Sequence, residues 1–268
     1  MRNASLADLD RTPIAVLPIA TDYPPGHLLD WHEHRRAQLL YAATGTMLVE
    51  TADGAWTVPG ERAVLIPPRT RHRVRMLDVQ TNSLYIEPEA VPWWPDTCRA
   101  VDVPPLLREL LRAAADIGVG EGAGPGAGVG AGAGTGAGVR RAEALLGLLL
   151  IELERVREVP LHLPLPEHGP LAELCRAYIA SPELAVTNAD WARAAAMGER
   201  TLSREFRELT GMSPAAWRAR ARLLAAIPLL AHQTVTEVAA LLGYATPAAF
   251  SYAFARAFGA PPSALRAP

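Results

Sequence analysis

Lysine is absent from this 268-residue chain, and arginine supplies all 26 of its basic residues. Together with abundant alanine and glycine, an all-arginine set is typical of a GC-rich coding sequence, so no single arginine carries much functional weight by itself. Cysteine is scarce as well. Cys98 and Cys175 lie far apart in the sequence and form no metal-binding or redox motif, so we expect two reduced thiols rather than a disulfide.

An apolar N-terminal segment and a long apolar run are also missing. Residues 1–13 are mostly polar, which argues against a secretory signal, and no run of about 18–20 apolar residues exists that could span a bilayer. We therefore expect a cytoplasmic protein without a membrane partner.

Charge is unevenly distributed along the chain, although the formal net charge is −2. Residues 1–164 carry 16 arginines against 20 acidic residues, a balance of −4. Residues 191–268 carry 9 arginines against 4 acidic residues, a balance of +5. A basic C-terminal region is typical of a domain that binds a polyanion.

Residues 12–90 show the pattern of a β domain. Turn residues at 44–45, 52–54 and 58–60 separate short apolar runs, and the turns recur at intervals of about 8–12 residues. This spacing predicts a compact β-sandwich or barrel.

Helical periodicity replaces this pattern after residue 95. Residues 118–138 are almost entirely glycine and alanine, and a segment with no side chain to bury predicts a mobile loop. An amphipathic helix is predicted for residues 140–159. Its apolar stripe consists of Leu145, Leu146, Leu149, Leu153 and Val156. The stripe either packs on the β domain or pairs with its copy in a second chain, and the two alternatives are compatible.

Residues 165–268 contain a degenerate internal repeat. A short helix, a turn containing glycine and a second helix occur twice, at an offset of 48 residues. The corresponding pairs are Leu202 and Phe250, Phe206 and Phe254, Gly211 and Gly259, and Pro214 and Pro262. Helix, glycine-containing turn and helix form the helix-turn-helix signature, in which the second helix of each unit enters the major groove of DNA. A long helix over residues 215–232 is predicted to join the two units.

A region of about 80 residues resembles the DNA-binding domain of the AraC/XylS family, and it includes the stretch that begins TLSREFRELTGMSPAAWRARARLLAAI and ends YATPAAFSYAFARAFGAPPSALR. One helix-turn-helix match is weak support, whereas two at this spacing, joined by this helix, are strong support. The resemblance implies a transcriptional regulator with double-stranded DNA as its partner. RNA polymerase is a further candidate partner.

Carried over by position, the resemblance assigns the DNA-contacting residues of both reader helices. The first helix presents Arg200, Ser203, Arg204 and Arg207, and the second presents Pro247, Ala248, Ser251 and Tyr252. Leu202, Phe206 and Leu209 are predicted to point inward. The second helix is poor in long polar side chains, so we expect it to contribute phosphate contacts and shape readout more than base discrimination. The arginines of the joining helix, Arg218, Arg220 and Arg222, are expected to be neighbours of solvent or phosphate.

The run GHLLDWHEHRRAQLLYAATG resembles the first cupin motif. The matching positions are Gly26, His32, His34, Gln38 and Gly45, with Gln38 where that family usually has glutamate. The later residues Gly60, Pro67 and His72 are similar to the second motif, although Arg69 stands at a position that is usually glycine and Met76 at one that is usually polar.

In cupins the corresponding side chains converge on one metal ion, so the resemblance implies that His32, His34, Gln38 and His72 hold a divalent transition metal such as zinc, nickel or iron. Replacing carboxylate with amide removes a negative charge and weakens such a site. The same residues could instead line a pocket for a small-molecule effector or be purely structural. Four aromatic residues, Trp31, Tyr41, Trp56 and Tyr85, are candidates for pocket walls or for plain core.

These patterns predict a multidomain α and β protein. Residues 1–95 form a cupin-like β-barrel sensor, residues 96–164 a helical segment, and residues 165–268 an all-α double helix-turn-helix. We expect a sequence-specific DNA-binding regulator that responds to a small-molecule or metal effector and forms a homodimer through the helix at 140–159. The alternative is a metal-dependent cupin enzyme with an appended DNA-binding module. The missing glutamate ligand and the lack of a second clear acid or base argue against an enzyme.

Overall fold

The computed structural model describes residues 14–117 and 136–265. The described residues belong to two compact units. Unit 1 is drawn from Met1–Met47 and Gly60–Val159, and unit 2 from Leu48–Pro59 and Pro160–Pro268. Among the helices within residues 14–117 and 136–265, none combines the length and the hydrophobicity that a membrane span requires.

Eight strands occur within the described residues. They are β1 (Val16–Asp22), β2 (Leu28–His32), β3 (Ala37–Glu50), β4 (Gly54–Pro59), β5 (Arg62–Ile66), β6 (His72–Ile86), β7 (Arg99–Asp102) and β8 (His162–Pro164). In unit 1, β6 pairs in antiparallel register with β1 and with β2, and β5 pairs with β3 and β7. In unit 2, β4 pairs with β8. The predicted β-rich N-terminal region is confirmed.

Eight α-helices occur within the same residues. They are α1 (Pro105–Ile117), α2 (Gly136–Glu154), α3 (Pro170–Ala180), α4 (Asn188–Ala194), α5 (Glu199–Thr210), α6 (Pro214–Leu230), α7 (Val235–Leu241) and α8 (Pro247–Phe258). The last six form the predicted helical C-terminal region, with α4–α5 and α7–α8 as the two repeats and α6 as the joining helix.

Helix α2 contributes its apolar stripe to the core of unit 1. Leu146, Leu149 and Leu153 are buried in one hydrophobic cluster with strand residues such as Leu39 and Ile86. Burying a leucine side chain contributes about 1.5–3 kcal/mol, so this stripe anchors the helix firmly on the β-strands. The first of the two alternatives, packing of the stripe on the β domain, is therefore observed within one chain.

The segment predicted as helical between residues 96 and 164 also contains two strands. Strand β7 extends the sheet beside β5, and β8 pairs with β4. Helix α2 ends at Glu154 rather than at 159, because Val159 N–H donates to the backbone oxygen of Ala100 and the chain there runs beside β7. Strands of three or four residues carry no readable periodicity, which is why the prediction missed them. Most of the predicted loop at 118–138 lies outside the described residues, and its last three residues begin α2.

Three aromatic rings form the centre of the first helical repeat in unit 2. Trp191 of α4, Phe206 of α5 and Trp217 of α6 lie with ring centroids 5.6–5.9 Å apart in tilted or edge-to-face arrangements. Such pairs contribute about 0.5–1.5 kcal/mol beyond the area they bury. The core fixes the angle between α4 and α5, and therefore the direction in which the outer face of α5 points.

The two repeats also share their terminal chemistry. Thr187 and Asp190 form a capping box at the start of α4, and Thr234 and Glu237 form the equivalent box at the start of α7. Hydrogen bonds from Thr187 and from Thr234 lower the pKa of the Asp190 and Glu237 carboxyls respectively. Helices α5 and α8 both end at a glycine with left-handed backbone geometry, Gly211 at φ 71° and Gly259 at φ 73°. The repeat seen in the sequence is thus a repeat of local structure.

Candidate functional site

Helix α5 presents a polar face whose orientation is set by buried residues on the opposite face. Leu202 and Phe206 are fully buried, as predicted. Arg200, Arg204 and Arg207 are exposed, and Ser203 is half-buried. The arginines therefore lie on the side of the helix that is available to a partner.

The prediction for Leu209 is wrong, because its side chain is 56% exposed. The inward position of the last turn is taken by Thr210, which is buried and whose Oγ1 donates to the backbone oxygen of Phe206 at 2.6 Å. An exposed leucine thus ends the polar face of α5.

Two weak ion pairs hold the Arg204 guanidinium. Its nitrogens lie 3.6 Å from Glu205 Oε1 and 4.0 Å from Glu208 Oε1, and the Arg204 side chain remains 65% exposed. Surface pairs of this kind contribute about 0–1 kcal/mol. Arg204 can therefore leave them for a stronger acceptor at little cost.

Helix α8 presents a face of a different character. Pro247, Ala248 and Tyr252 are exposed, with Tyr252 at 69%, and Ser251 is half-buried. Phe250 and Phe254 form the buried side. The Tyr252 and Ser251 hydroxyls are the hydrogen-bonding side chains among the four predicted contacts, so this surface offers far fewer donors than α5.

The arginines of α6 are structural, which corrects the expectation that they face solvent or phosphate. Arg218 is buried, donates to Asn188 Oδ1 at 2.7 Å and stacks over the Trp191 ring. Arg220 donates to backbone oxygens of His162 and Ala257, and Arg222 donates to the Tyr178 hydroxyl. Burial lowers the pKa of Arg218 and of Arg220. An arginine whose aliphatic side chain extends into the protein interior cannot be distinguished from a surface arginine by sequence alone.

A cavity of about 440 Å³ lies in unit 1. It is lined by residues of β1, β2, β3 and β6 and of the turn between β1 and β2. Its polar lining includes His32, Gln38, His72 and Tyr85, and apolar groups such as Leu40 complete the wall. A volume in this range accommodates a small organic molecule.

Strand pairing brings the predicted cupin residues together. His32 at the end of β2 is paired with His72 at the start of β6, and their ring centroids lie 4.3 Å apart. His34, just beyond β2, lies with its ring 5.3 Å from His72 and 6.4 Å from His32. Gln38 Oε1 lies 3.0 Å from His34 Nε2, and Gln38 Nε2 donates to the Tyr85 hydroxyl at 3.0 Å. The structure therefore gathers all four predicted site residues.

Backbone carbonyls hold one ring nitrogen of each imidazole. The Nδ1 atom of His32 lies 2.7 Å from the Asp30 backbone oxygen. The Nδ1 atom of His34 lies 2.7 Å from Arg36 O, and that of His72 lies 2.8 Å from Thr70 O. A carbonyl oxygen only accepts, so Nδ1 of His32 and Nδ1 of His72 carry a proton, whereas His34 meets an oxygen at both ring nitrogens. His72 is fully buried, and burial, with the two neighbouring imidazoles, lowers its pKa to about 3.

A metal centre is not supported by these positions. Across residues 14–117 and 136–265, no group of three or more His, Cys, Asp or Glu side chains is arranged to hold a metal ion. The fourth predicted ligand, Gln38, is an amide whose oxygen already contacts His34. The set thus fits a polar cavity wall better than a zinc, nickel or iron site, and metal binding stays a prediction.

Two cavity residues were missed by sequence reasoning. Tyr23 and His27 stack with centroids 5.2 Å apart, and both line the cavity. They lie in or beside the turn between β1 and β2, where no periodicity marks a side chain as inward. Of the four aromatic candidates, Tyr85 lines the cavity, whereas Tyr41 and Trp56 are buried core residues.

Cys98 is half-buried and Cys175 is buried, and no disulfide joins them. Cys175 is buried, and burial raises the pKa of its thiol, which makes it unreactive. Neither cysteine belongs to the cavity or to the two reader helices.

Comparison with known proteins agrees with a β-rich N-terminal region followed by a helical C-terminal region. A helix-turn-helix domain model matches residues 191–268, and a model of the AraC-like ligand binding domain matches residues 15–131. The HTH-type transcriptional regulator NimR of Escherichia coli is 30% identical over 237 residues, which span 86% of this chain and 80% of NimR. The HTH-type transcriptional regulator RipA of Corynebacterium glutamicum is 34% identical over 101 residues, 37% of this chain and 30% of RipA.

Among solved structures, the DNA-binding domain of AdpA in complex with a target DNA is 34% identical, covers 36% of this chain and 89% of that chain, and has a TM-score of 0.33. ToxT of Vibrio cholerae is 11% identical, covers 93% of this chain and 96% of its own, and has a TM-score of 0.37. The sequence matches to both domain models and the similarity to NimR over most of its length agree with the two helix-turn-helix repeats. The chain therefore belongs to the AraC/XylS family of transcriptional regulators.

Proposed function

We propose that this regulator reads a specific DNA sequence through α5 and α8, and that a small organic molecule in the cavity of unit 1 controls that binding. The observation that carries the proposal is the presence in one chain of two matching helix-turn-helix repeats and a cavity lined by imidazole, phenol and amide groups. In this reading the chain catalyses no reaction, and none of its residues is assigned a catalytic role.

Base discrimination is expected to be concentrated on α5. Its exposed arginines can donate two parallel hydrogen bonds to guanine, which is the commonest specific contact in the major groove. Helix α8 offers the Tyr252 hydroxyl and small side chains, which suit phosphate contacts and readout of groove shape. The operator is thus expected to have one strongly constrained block and one weakly constrained block.

Selection from random duplex oligonucleotides with the full chain at moderate salt tests this function. We expect an enriched motif whose two blocks are separated by about 10 base pairs, because successive major-groove segments on one DNA face recur at each helical turn. The block in which Arg200→Ala or Arg207→Ala relaxes the base preference is expected to have the higher information content of the two. An enriched pool with no shared motif would contradict the proposal.

Control by the cavity requires that the effector bind the DNA-competent and incompetent arrangements with different affinity. Strand β3 connects the two places involved, since it carries Gln38 of the cavity in unit 1 and Glu50 in unit 2. Within unit 2, Glu50 forms an ion pair with Arg176 of α3 at 3.0 Å. The backbone of β3 therefore runs without interruption from the cavity wall at Gln38 into unit 2 at Glu50.

The metal-dependent alternatives have a direct test. Elemental analysis of the purified protein, together with DNA affinity measured with and without added Zn²⁺, Ni²⁺ or Fe²⁺, distinguishes a metal effector from an organic one. A stoichiometric metal that changes DNA affinity would favour the metal effector. Turnover of a candidate substrate by the metal-loaded protein would favour the cupin enzyme.

Helix α2 supports a homodimer through a face that unit 1 does not cover. Leu148 and Ile151 lie three residues apart on this helix and are 41% and 56% exposed. We propose that a second copy of the chain covers them. RNA polymerase remains a candidate partner, and we assign it no surface among the described residues.

Ile151→Arg is expected to shift the protein from dimer to monomer, because a charged side chain in the centre of an apolar contact loses its hydration. Sedimentation velocity over a range of protein concentrations measures the change. Leu241→Arg is the matched control, since Leu241 is 61% exposed but lies on α7. A dimer that survives Ile151→Arg, or a protein that is monomeric without any substitution, would contradict this assignment.

A further inference from the structure

We propose that the cavity of unit 1 selects an uncharged small molecule that donates a hydrogen bond to Nε2 of His72, and that it rejects organic anions. The inference rests on the proposed effector-sensing function and names the chemical class of its ligand. It is carried by one buried atom that has no hydrogen-bond partner within residues 14–117 and 136–265, and by the charges of the cavity wall.

The unpaired atom is Nε2 of His72. The His72 side chain is fully buried and lines the cavity. Its Nδ1 donates to the Thr70 backbone oxygen at 2.8 Å, so in the neutral ring Nε2 carries a lone pair and no proton. Nε2 has no hydrogen-bond partner among the described residues. A buried acceptor without a partner costs about 1–3 kcal/mol. Because Nε2 is itself buried, a ligand N–H or O–H removes that cost where the cavity wall shifts to admit it.

A second imidazole offers the same chemistry beside the first. His32 also lines the cavity, and its ring centroid is 4.3 Å from that of His72. Its Nδ1 is held by the Asp30 backbone oxygen at 2.7 Å, so its neutral ring likewise leaves Nε2 as an acceptor. Two neighbouring acceptor nitrogens on one wall favour a ligand group that donates a hydrogen bond over a group that only accepts one.

The charge of the wall excludes an anion. No arginine is among the described residues that line the cavity, and the one carboxylate among them belongs to Asp22. A bound carboxylate would lose its hydration without gaining a guanidinium partner, and the Asp22 carboxylate on the same wall would repel it. The remaining polar groups are hydroxyls, imidazoles and an amide, all of which hydrogen-bond a neutral molecule.

The apolar part of the lining indicates what the rest of the ligand resembles. Ile19, Leu29, Leu40 and Val74 contribute hydrocarbon surface, and Tyr23 and Tyr85 contribute rings. With about 440 Å³ available, the cavity suits a molecule of one or two rings with a single donating group. A phenol or an aromatic amine has these properties.

Three two-ring probes of matched shape test the class directly. They are 2-naphthol, which donates a hydrogen bond, 2-methoxynaphthalene, which does not, and 2-naphthoate, which is an anion. Binding to the full chain is measured by isothermal titration calorimetry. We expect 2-naphthol to bind about tenfold more tightly than 2-methoxynaphthalene, and 2-naphthoate to bind least tightly. Equal binding of the first two probes, a preference for 2-naphthoate, or no detectable binding of 2-naphthol would overturn the inference.

His72→Phe separates the hydrogen bond from general apolar binding. The substitution keeps a ring of similar shape but removes the acceptor, so 2-naphthol and 2-methoxynaphthalene are expected to bind this variant equally. A tenfold preference that persists in the variant would overturn the role of His72. Should the variant fail to fold, as judged by its thermal transition, the comparison of the three probes on the unsubstituted protein still decides the ligand class.

DNA affinity measured on the selected operator separates this inference from the proposed function. If 2-naphthol shows the expected preference but leaves DNA affinity unchanged, the ligand class stands and control of DNA binding by the cavity does not. If an anion changes DNA affinity through the cavity, sensing stands and the ligand class is overturned.

Discussion

Glu87→Ala is expected to lower the free energy of unfolding of unit 1 by about 3 kcal/mol. The Arg36 side chain is fully buried, and its Nη2 lies 2.6 Å from Glu87 Oε1. Arg35 contacts both oxygens of the same carboxylate. Glu87→Ala removes the carboxylate that both arginines contact, and breaking a buried ion pair in this way costs about 3–5 kcal/mol. The lower end applies because the Glu87 side chain is 18% exposed.

Urea unfolding followed by circular dichroism measures the effect. With an m-value of about 2 kcal/mol per molar urea, the midpoint of the unit 1 transition is expected to fall by about 1.5 M. Glu89→Ala is the matched control, because Glu89 lies two residues away and is exposed. Equal shifts for the two variants would mean that the Arg36–Glu87 pair does not stabilise the unit.

Arg204→Ala is expected to weaken binding to the selected operator by about 1–3 kcal/mol, or about 5- to 150-fold, and to relax the preference at one base position. Arg204 lies at the centre of the exposed face of α5 and is held by two weak ion pairs. Since these partners are solvent-exposed, exchanging them for guanine acceptors gains most of the hydrogen-bond energy.

Fluorescence anisotropy on the operator and on single-base variants, at several salt concentrations, measures this effect. Arg193→Ala is the control, because Arg193 is 76% exposed and paired with Asp190 on α4. A loss that is uniform over all sequences, with the salt slope reduced by about one, would make Arg204 a phosphate contact instead. A loss no larger than that of the control would remove Arg204 from the interface.

The helix-turn-helix repeats could be predicted closely because their determinants are local. Apolar residues at helical spacing, a glycine at the end of each reader helix and a fixed offset between repeats are all written in short stretches of sequence. The structure places α5 and α8 where these patterns predict them. Leu209 was wrongly predicted to point inward. The residue that is buried in the last turn of a helix depends on the elements that pack against that turn, and spacing along the sequence does not specify it.

Short-range patterns in the chain were thus enough to predict a β-rich unit with a histidine motif and a basic double helix-turn-helix. Tertiary structure alone decided which residues share the cavity, since His72 meets His32 only through the pairing of β2 with β6. It also decided that Tyr23 and His27 belong to the wall and that Arg218 and Arg220 turn inward. Contacts between residues distant in sequence depend on strand register and core packing, and neither leaves a periodic trace in the chain.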